Sequence, residues 1–235
     1  MARSQVYLQV DRVGAETCAA ARAVSVSDLH EALGGVAGRA ATMSAAMRPV
    51  NRGVRIAGPA VTAFCAPGDN LMMHRALYLA RRGDVLVVQA GGTGAQWGDV
   101  AAQYAKAKGL EGVVVDGYVR DTDAMEALRF PVWSTLVGPS SPDKRGAGLV
   151  NAPIVCDGVR VEPGDLVVAD GDGVIVIPRA EAAAVVERAT QRMRKEDALA
   201  ARILAGEHPW HFSGAAEGYA TLDVEEIDAP WPKGA

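Results

Sequence analysis

The stretch from Gly83 to Trp133 constrains this chain more than any other. Residues 84–89 form a continuous, largely apolar run, the pattern of a strand covered on both faces. A glycine-rich loop follows at 91–98. A helix over about 99–108 stops at Gly109, with Lys106 and Lys108 in its last turn, where the helix dipole favours cations. A strand at 112–115 ends at Asp116-Gly117, a second helix covers about 121–128, and Phe130-Pro131-Val132-Trp133 starts another extended segment. This βαβα alternation predicts a parallel sheet with right-handed crossovers.

The flanks are simpler. The first 50 residues read as helical, Ala-rich and broken at Gly34-Gly35, with Ser27 or Asp28 as a cap and His30 and Glu31 in the first turn. Val54 to Phe64 reads as a strand. Pro67-Gly68-Asp69-Asn70 reads as a turn and N-cap for a helix from Leu71 to about Ala80. Residues 153–178 read as all-β, with turns at 157–158, 162–165 and 170–173. A last helix, about 179–204, starts after Pro178, and the tail beyond is irregular. Gly83-Asp84-Val85-Leu86-Val87-Val88 is echoed by Gly164-Asp165-Leu166-Val167-Val168, which shared turn chemistry explains as well as duplication does. No linker-like stretch divides the chain. The expectation is one α/β domain over 1–235, with a helical N-terminal region at 15–50, the C-terminal helix and the tail.

Composition narrows the class of function. Of 235 residues, 49% are apolar and 22% charged, as in an ordinary globular protein. A net charge of −4 supplies no pull toward nucleic acid or an anionic membrane. Cys18, Cys65 and Cys156 are odd in number and far apart, so neither a disulfide framework nor a thiolate zinc site is expected. Met1 to Asp11 has charges and no apolar core of a leader. No uncharged apolar run reaches the roughly 18 residues of a spanning helix. A cytoplasmic location is the expectation.

The loop Gly91-Gly92-Thr93-Gly94-Ala95-Gln96-Trp97-Gly98 lies between a strand and a helix, where glycines let backbone N–H groups approach an anion. A dinucleotide site with Asp116 on the ribose is one reading. However, the glycines run G-x-G-x-x-x-G, and Trp97 and Asp99 sit where a pyrophosphate needs small, uncharged neighbours. A smaller anion such as a carboxylate fits better, and a plain tight turn stays open. Asp99, in the first turn of its helix, reads equally as a dipole-stabilising charge. Arg120-Asp121 lies just past a buried strand, so it shares the carboxyl rim of the sheet with the glycine loop. Asp121 is also a candidate N-cap, although Thr122 and Asp123 can cap too, and Asp123 with Glu126 resembles a capping box. Arg120 has no capping role, and its planar fork suits a carboxylate. One cation and two carboxylates on one rim suit a hard divalent metal together with an anionic substrate.

The other candidates are weaker. His74 reads as a packing histidine, and Pro209 spoils the His208/His211 pair as a zinc site. Ser140-Ser141-Pro142 reads as a turn, and no G-x-S-x-G is present. Imine chemistry needs a desolvated lysine. Lys106 and Lys108 cap a helix, Lys144 and Lys195 lie in charged stretches, and Lys233 is near the end.

Gly98-Asp99, Gly109 and Gly112-Val113-Val114-Val115-Asp116-Gly117-Tyr118-Val119-Arg120-Asp121 together resemble the signature of the regulator-of-ribonuclease-activity-A-like family. Pro67 to His74, Phe130 to Ser134 and Val161 to Leu166 resemble its branch of 4-hydroxy-4-methyl-2-oxoglutarate and 4-carboxy-4-hydroxy-2-oxoadipate aldolases. The resemblance implies a β/β/α layered, swivelling-type α/β fold, with a central parallel-containing sheet and flanking helices. It implies a class II pyruvate aldolase using Mg²⁺ or Mn²⁺, and because oxaloacetate decarboxylation passes through the same pyruvate enolate, one site is expected to act as an oxaloacetate decarboxylase too. Homotrimers or homohexamers would share active sites, with a small 2-oxo acid as substrate and neither nucleic acid nor membrane as partner. Backbone N–H groups of Gly98, Asp99, Val100 and Ala101 would hold the pyruvate carboxylate. Arg120 would contact pyruvate, Asp121 the metal, and Glu196 would be donated by a neighbouring subunit to act with Asp99 on the proton. Some members of the family instead bind and inhibit a ribonuclease, which is the alternative function, beside a family enzyme acting on another small acid.

Overall fold

The computed structural model describes residues 4–231, apart from the side chains of 196–198. The chain falls into two compact units that divide between Arg192 and Met193. In the first unit, the short strands β1 (Gln5–Val6) and β2 (Arg48–Pro49) lie at the ends of a mixed sheet. Between them run β3 (Ile56–Cys65), β4 (Val85–Gln89), β5 (Gly112–Val119), β6 (Val132–Val137) and β7 (Gly148–Val150), in the order β1-β7-β3-β4-β5-β6-β2. The β3-β4-β5-β6 core is parallel, as the alternation predicts. The pairings of β7 with β3 and of β2 with β6 are antiparallel. β8 (Ile154–Cys156) and β9 (Val159–Val161) form a separate hairpin. β10 (Leu166–Ala169) pairs antiparallel with β11 (Val174–Ile177) and with Ile56–Pro59 of β3.

The helices are α1 (Ala15–Ala21), α2 (Val26–Leu33), α3 (Gly35–Ala41), α4 (Leu71–Leu79), α5 (Asp99–Lys108), α6 (Thr122–Leu128), α7 (Ala182–Leu204) and α8 (Ala215–Tyr219). The side-chain alternation of the strands sorts the core into layers. Leu86, Val88, Val113 and Val115 pack with Met73, Ala102 and Met125 of α4, α5 and α6. The intervening residues Val85, Val87, Val114 and Trp133 pack with β8–β11. Behind β10 and β11, Leu166, Val168, Ile175 and Ile177 meet α1, α2 and residues 182–189 of α7. The fold is thus a mixed sheet with strands on one face and helices on the other.

Several local expectations are corrected. Ser25, not Ser27 or Asp28, caps α2: its Oγ accepts from Asp28 N at 3.0 Å, which places His30 in the last turn. The helical reading of the first 50 residues fails at β2, where Pro49 sits on a sheet edge. β5 runs on through Gly117 to Val119 with a register shift between Val115 and Tyr118, so Asp116-Gly117 is a bulge rather than a strand end. Lys106 and Lys108 do not cap their own helix. Lys106 Nζ donates to Leu128 O at 2.6 Å, and Lys108 Nζ donates to Leu77 O and Tyr78 O at the end of α4. In the second unit the tail holds a short 3₁₀ turn, Pro209–His211, and α8. Cys18, Cys65 and Cys156 are buried and free, and burial pushes the Cys65 thiol up to about 11. Among the described residues no helix is long and apolar enough to cross a membrane.

The sequence echo proves to be one turn used twice. Asp84 N donates to Arg81 O and Asp165 N to Glu162 O, both at 3.1 Å. Each aspartate then accepts from the first residue of its turn, Arg81 N at 2.6 Å and Glu162 N at 2.9 Å. The strands that follow, β4 and β10, pair with the two halves of β3. Asp84 has 1% of its side chain exposed and takes a two-pronged contact from Arg12, at 2.7 and 2.9 Å. Removing one partner strands a buried charge, at a cost of about 3–5 kcal/mol. In urea unfolding, Arg12→Ala, which leaves Asp84 buried and unpaired, should therefore lose about that much, and the Arg12→Ala, Asp84→Ala double variant should lose less than the sum of the singles.

Asp69 anchors a distant loop. Its carboxylate accepts from Leu71 N (2.8 Å), Arg145 N (2.6 Å) and Gly146 N (2.7 Å). Burial favours the neutral acid, but the three amides outweigh it and the pKa falls below the ordinary carboxylate range. A lowered folded pKa contributes stability above the unfolded value, and that contribution is lost as pH falls through the folded one. Asp69→Asn should be less stable by about 1–3 kcal/mol at neutral pH. In acid melts below pH ~4 the gap to the parent should close.

Candidate active site

The site forms where β4 and β5 leave the sheet. Gln96 is fully buried. Its backbone N donates to Tyr118 O at 2.8 Å and its Oε1 accepts from Tyr118 N at 3.1 Å. A Cβ at Gly117, where φ is 152°, would meet that Oε1 at 2.6 Å, so only glycine lets the loop after β4 lie against the bulge of β5. Trp97 continues the contact: it bridges Val119, its O accepts from Arg120 N at 3.0 Å, and its ring stacks on Phe130 with centroids 6.0 Å apart.

This brings Gly98-Asp99 against Arg120-Asp121. Gly98 is the N-cap of α5. A Cβ there would lie 2.6 Å from Asp121 Oδ2, so the carboxylate occupies space that only glycine leaves. Asp121 sits at the N-cap of α6 in the left-handed region, φ 58°, and its side chain makes no capping bond. Asp123, expected as an alternative cap, lies inside the helix. The Asp121 carboxylate instead pairs with Arg120 Nε at 3.3 Å and accepts from Asp99 N at 3.4 Å. Arg120 Nη1 donates to Ser141 Oγ at 2.8 Å, so the turn at 140–142 holds the guanidinium.

A cleft of about 260 Å³ opens over the first turn of α5 and is lined by residues 98–101, Arg120 and Asp121, with Asn70, His74 and Lys144 opposite. First-turn amides have no acceptor within their helix, and here they border the cleft. A second, wider recess continues along Asp99, Arg120, Asp121 and Thr122. His74 is exposed at the surface of the cleft, and partial desolvation there, then the charge of Lys144, lowers its pKa. Sequence reasoning took His74 for packing and Lys144 for surface charge. Their signal was long-range: the Asp69 bonds to residues 145 and 146 deliver the loop that carries Lys144. Asn70 is the N-cap residue of α4, as expected, but its side chain makes no capping bond. Its Nδ2 donates to Gln96 O at 3.3 Å, and its buried Oδ1 has no partner among the described residues. Trp97 Nε1 is likewise buried and unpartnered among them.

Other candidates resolve differently. Asp116 is used internally, Oδ2 accepting from Asp157 N at 2.9 Å, so it is not a ribose ligand. In the second unit, His208 Nδ1 accepts from Trp210 N at 3.1 Å, which is a turn contact. The Glu196 side chain and Lys233 lie outside the described residues. Among the described residues no group of three or more His, Cys, Asp or Glu is close enough to hold a metal. Asp121 with Asp99 beside it is nevertheless a donor set that suits a hard cation taking one or two carboxylates and filling its shell with water and substrate oxygens.

The sequence profile described as RraA-like, Aldolase/RraA, matches residues 26–176, a span holding Gly98-Asp99 and Arg120-Asp121 but not Glu196. A Halalkalibacterium halodurans protein named "Putative 4-hydroxy-4-methyl-2-oxoglutarate aldolase" is 38% identical over 179 residues, 75% of this chain and 83% of that protein. The crystal structure of an uncharacterized Pseudomonas syringae pv. tomato protein matches with a TM-score of 0.76 at 27% identity, covering 85% of this chain and 93% of that one. RraAS2 of Streptomyces coelicolor, described as an unusual member of the RNase ES inhibitor RraA protein family, matches with a TM-score of 0.72 at 30% identity, covering 80% and 98%. By profile, relatives and fold, the chain belongs to the RraA-like family.

Proposed function

We propose that this chain is a divalent-metal-dependent aldolase that releases pyruvate from 4-hydroxy-2-oxo acids such as 4-hydroxy-4-methyl-2-oxoglutarate or 4-carboxy-4-hydroxy-2-oxoadipate, and that decarboxylates oxaloacetate at the same site. The observation that carries this reading is the Asp121 carboxylate, held against Gly98 beside Arg120 and withheld from its own helix. Amides of residues 99–101 receive the substrate carboxylate at the positive end of α5. Arg120 faces the 2-oxo oxygen, where negative charge develops as the C–C bond breaks, and a donor already in place lowers that barrier. Asp121, with Asp99 nearby, would hold Mg²⁺ or Mn²⁺, which when bound supplies Lewis-acid stabilisation of the same charge. A water held by Asp99 and a neighbouring copy's Glu196 takes the C4 hydroxyl proton. Lys144 is exposed, so it lacks the desolvation that an imine-forming lysine needs.

Tyr78 is 65% and Val100 74% exposed, and both line a recess together with His74 and Tyr104. Apolar surface at the mouth of the cleft supports assembly with copies of this chain, as a trimer or hexamer with shared sites. A second reading, regulation of a ribonuclease in the cytoplasm, is favoured by the description of RraAS2 as a member of an RNase ES inhibitor family. A pull-down with a ribonuclease beside a pyruvate-release assay separates the two: binding without turnover of any 2-oxo acid supports the regulator.

EDTA should abolish pyruvate release and Mg²⁺ or Mn²⁺ restore it, while borohydride with pyruvate leaves the enzyme active. Covalent trapping of pyruvate on a lysine would refute the class. Arg120→Lys keeps the charge but loses the fork, and kcat/KM should fall on the order of 10²-fold or more. Asp121→Asn should weaken metal affinity first, and Asp99→Asn should slow turnover with pyruvate binding largely kept. Glu196→Ala mixed with Asp121→Ala, both inactive alone, should regain partial activity. A dead mixture despite demonstrated subunit exchange removes Glu196 from the site.

A further inference from the structure

We propose that the opposite end of the sheet carries a second binding site, for a small organic dianion with an apolar body. The site lies at the amino end of β4, roughly 15 Å from the catalytic cleft by the length of a five-residue strand. There a cavity of about 370 Å³ opens between α1, β3 and the turn before β4. That is the size range of small-molecule sites. Its apolar part comes from Ala15, Cys18 and Ala19 of α1 and from Ala57 and Pro59 of β3. Its polar part is made by four arginines, Arg12, Arg22, Arg81 and Arg82, with Asp84 beneath them.

These arginines are not equivalent. Arg12 is committed to buried Asp84. Arg22 pairs with Glu111 at 2.9 Å and donates to Ala57 O at 3.2 Å. Arg81 and Arg82 are exposed, and neither guanidinium has an ion pair or hydrogen bond among the described residues. Four positive charges stand against two carboxylates, Asp84 and Glu111, which leaves a cavity with two uncompensated cations. Such a field attracts an anion of matching charge, and the planar forks suit a phosphate or a pair of carboxylates.

The fold contains its own control for whether the turn requires these residues. The other copy of the turn, Glu162-Pro163-Gly164-Asp165, has the same closing bonds with Glu-Pro where this one has Arg-Arg. Turn geometry therefore does not select Arg81 and Arg82. The Arg81-Arg82-Gly83-Asp84 turn instead fixes them at the mouth of the cavity, because Asp84 ties both ends of it. Arg82 is further placed by its approach to Gly109, whose Cβ would lie 2.7 Å from Arg82 Nη1.

The test is calorimetric titration of the full-length protein with phenyl phosphate and, separately, phenylsuccinate, each with saturating pyruvate and Mg²⁺ to occupy the catalytic cleft. Benzoate serves as the monoanionic control. At least one dianion should bind, and benzoate at least tenfold more weakly. The arm that binds says whether the dianion is a phosphate ester or a dicarboxylate. Arg81→Ser with Arg82→Ser should weaken binding at least tenfold. Ala19→Trp, at an exposed helix position on the cavity wall, should do the same by filling the apolar part. Both variants should keep the parent's melting temperature and pyruvate release. Absence of binding by either dianion, benzoate binding as tightly, or undiminished affinity in both variants overturns the site.

Discussion

The side chain of Gln96 is the constraint on which the site depends. It stands where two strands of a parallel sheet have stopped pairing, and it carries the pairing on in side-chain form. One amide oxygen takes the Tyr118 N–H that a neighbouring strand would have taken, and the amide nitrogen turns back to Gly94 O. A buried amide with both ends satisfied rigidifies what it joins. Here it joins the loop ending in Gly98-Asp99 to the bulge leading to Arg120-Asp121. The two dipeptides are 22 positions apart in sequence and meet because this crossing leaves them no other course.

What the crossing delivers is locally unfavourable. Asp121 is held at positive φ, a conformation that costs of order 1–3 kcal/mol in a non-glycine residue. The α6 N-terminus goes without a side-chain cap. Trp97 Nε1 and Asn70 Oδ1 are buried without partners among the described residues. These features border one cleft, above a β3-β4-β5-β6 core built mainly of Val and Ala with Ile, Leu and Trp. For the proposed aldolase, such a distribution would place the charges before a ligand arrives, so that little reorganisation is needed when charge develops in it.

Which parts were legible follows from the range of the forces involved. Residues 84–133 were readable because hydrophobic period and helix stops are local. Gly109 ends α5 in the left-handed conformation, φ 81°, as its position after the last lysine predicts. Arg120-Asp121 was readable because a strand end localises it on a rim. The cap of α2 was missed because Ser25, Ser27 and Asp28 are all residue types that cap, and the choice depends on where the helix starts. β2 was missed because its two residues owe their form to β6, more than 80 positions away. His74, Lys144 and Asn70 were undervalued for the same reason: what carries them to the cleft is Asp69 bonding across 76 and 77 positions. No periodicity reports a contact of that span.

The sequence echo shows how one local solution serves two ends of a sheet. β3 is ten residues long and needs partners along both halves. The Gly-Asp turn starts β4 beside residues 60–64 and β10 beside residues 56–59. In both turns the aspartate closes the ring by taking the N–H of the residue three positions before it, so the conformation is secured by backbone, glycine and aspartate. The first two side chains of the turn are then free to vary without cost to the fold. In one copy they are Glu and Pro, in the other Arg and Arg. A position that the fold leaves free is where composition reports something other than folding, and the charge placed there faces a cavity rather than a carboxylate.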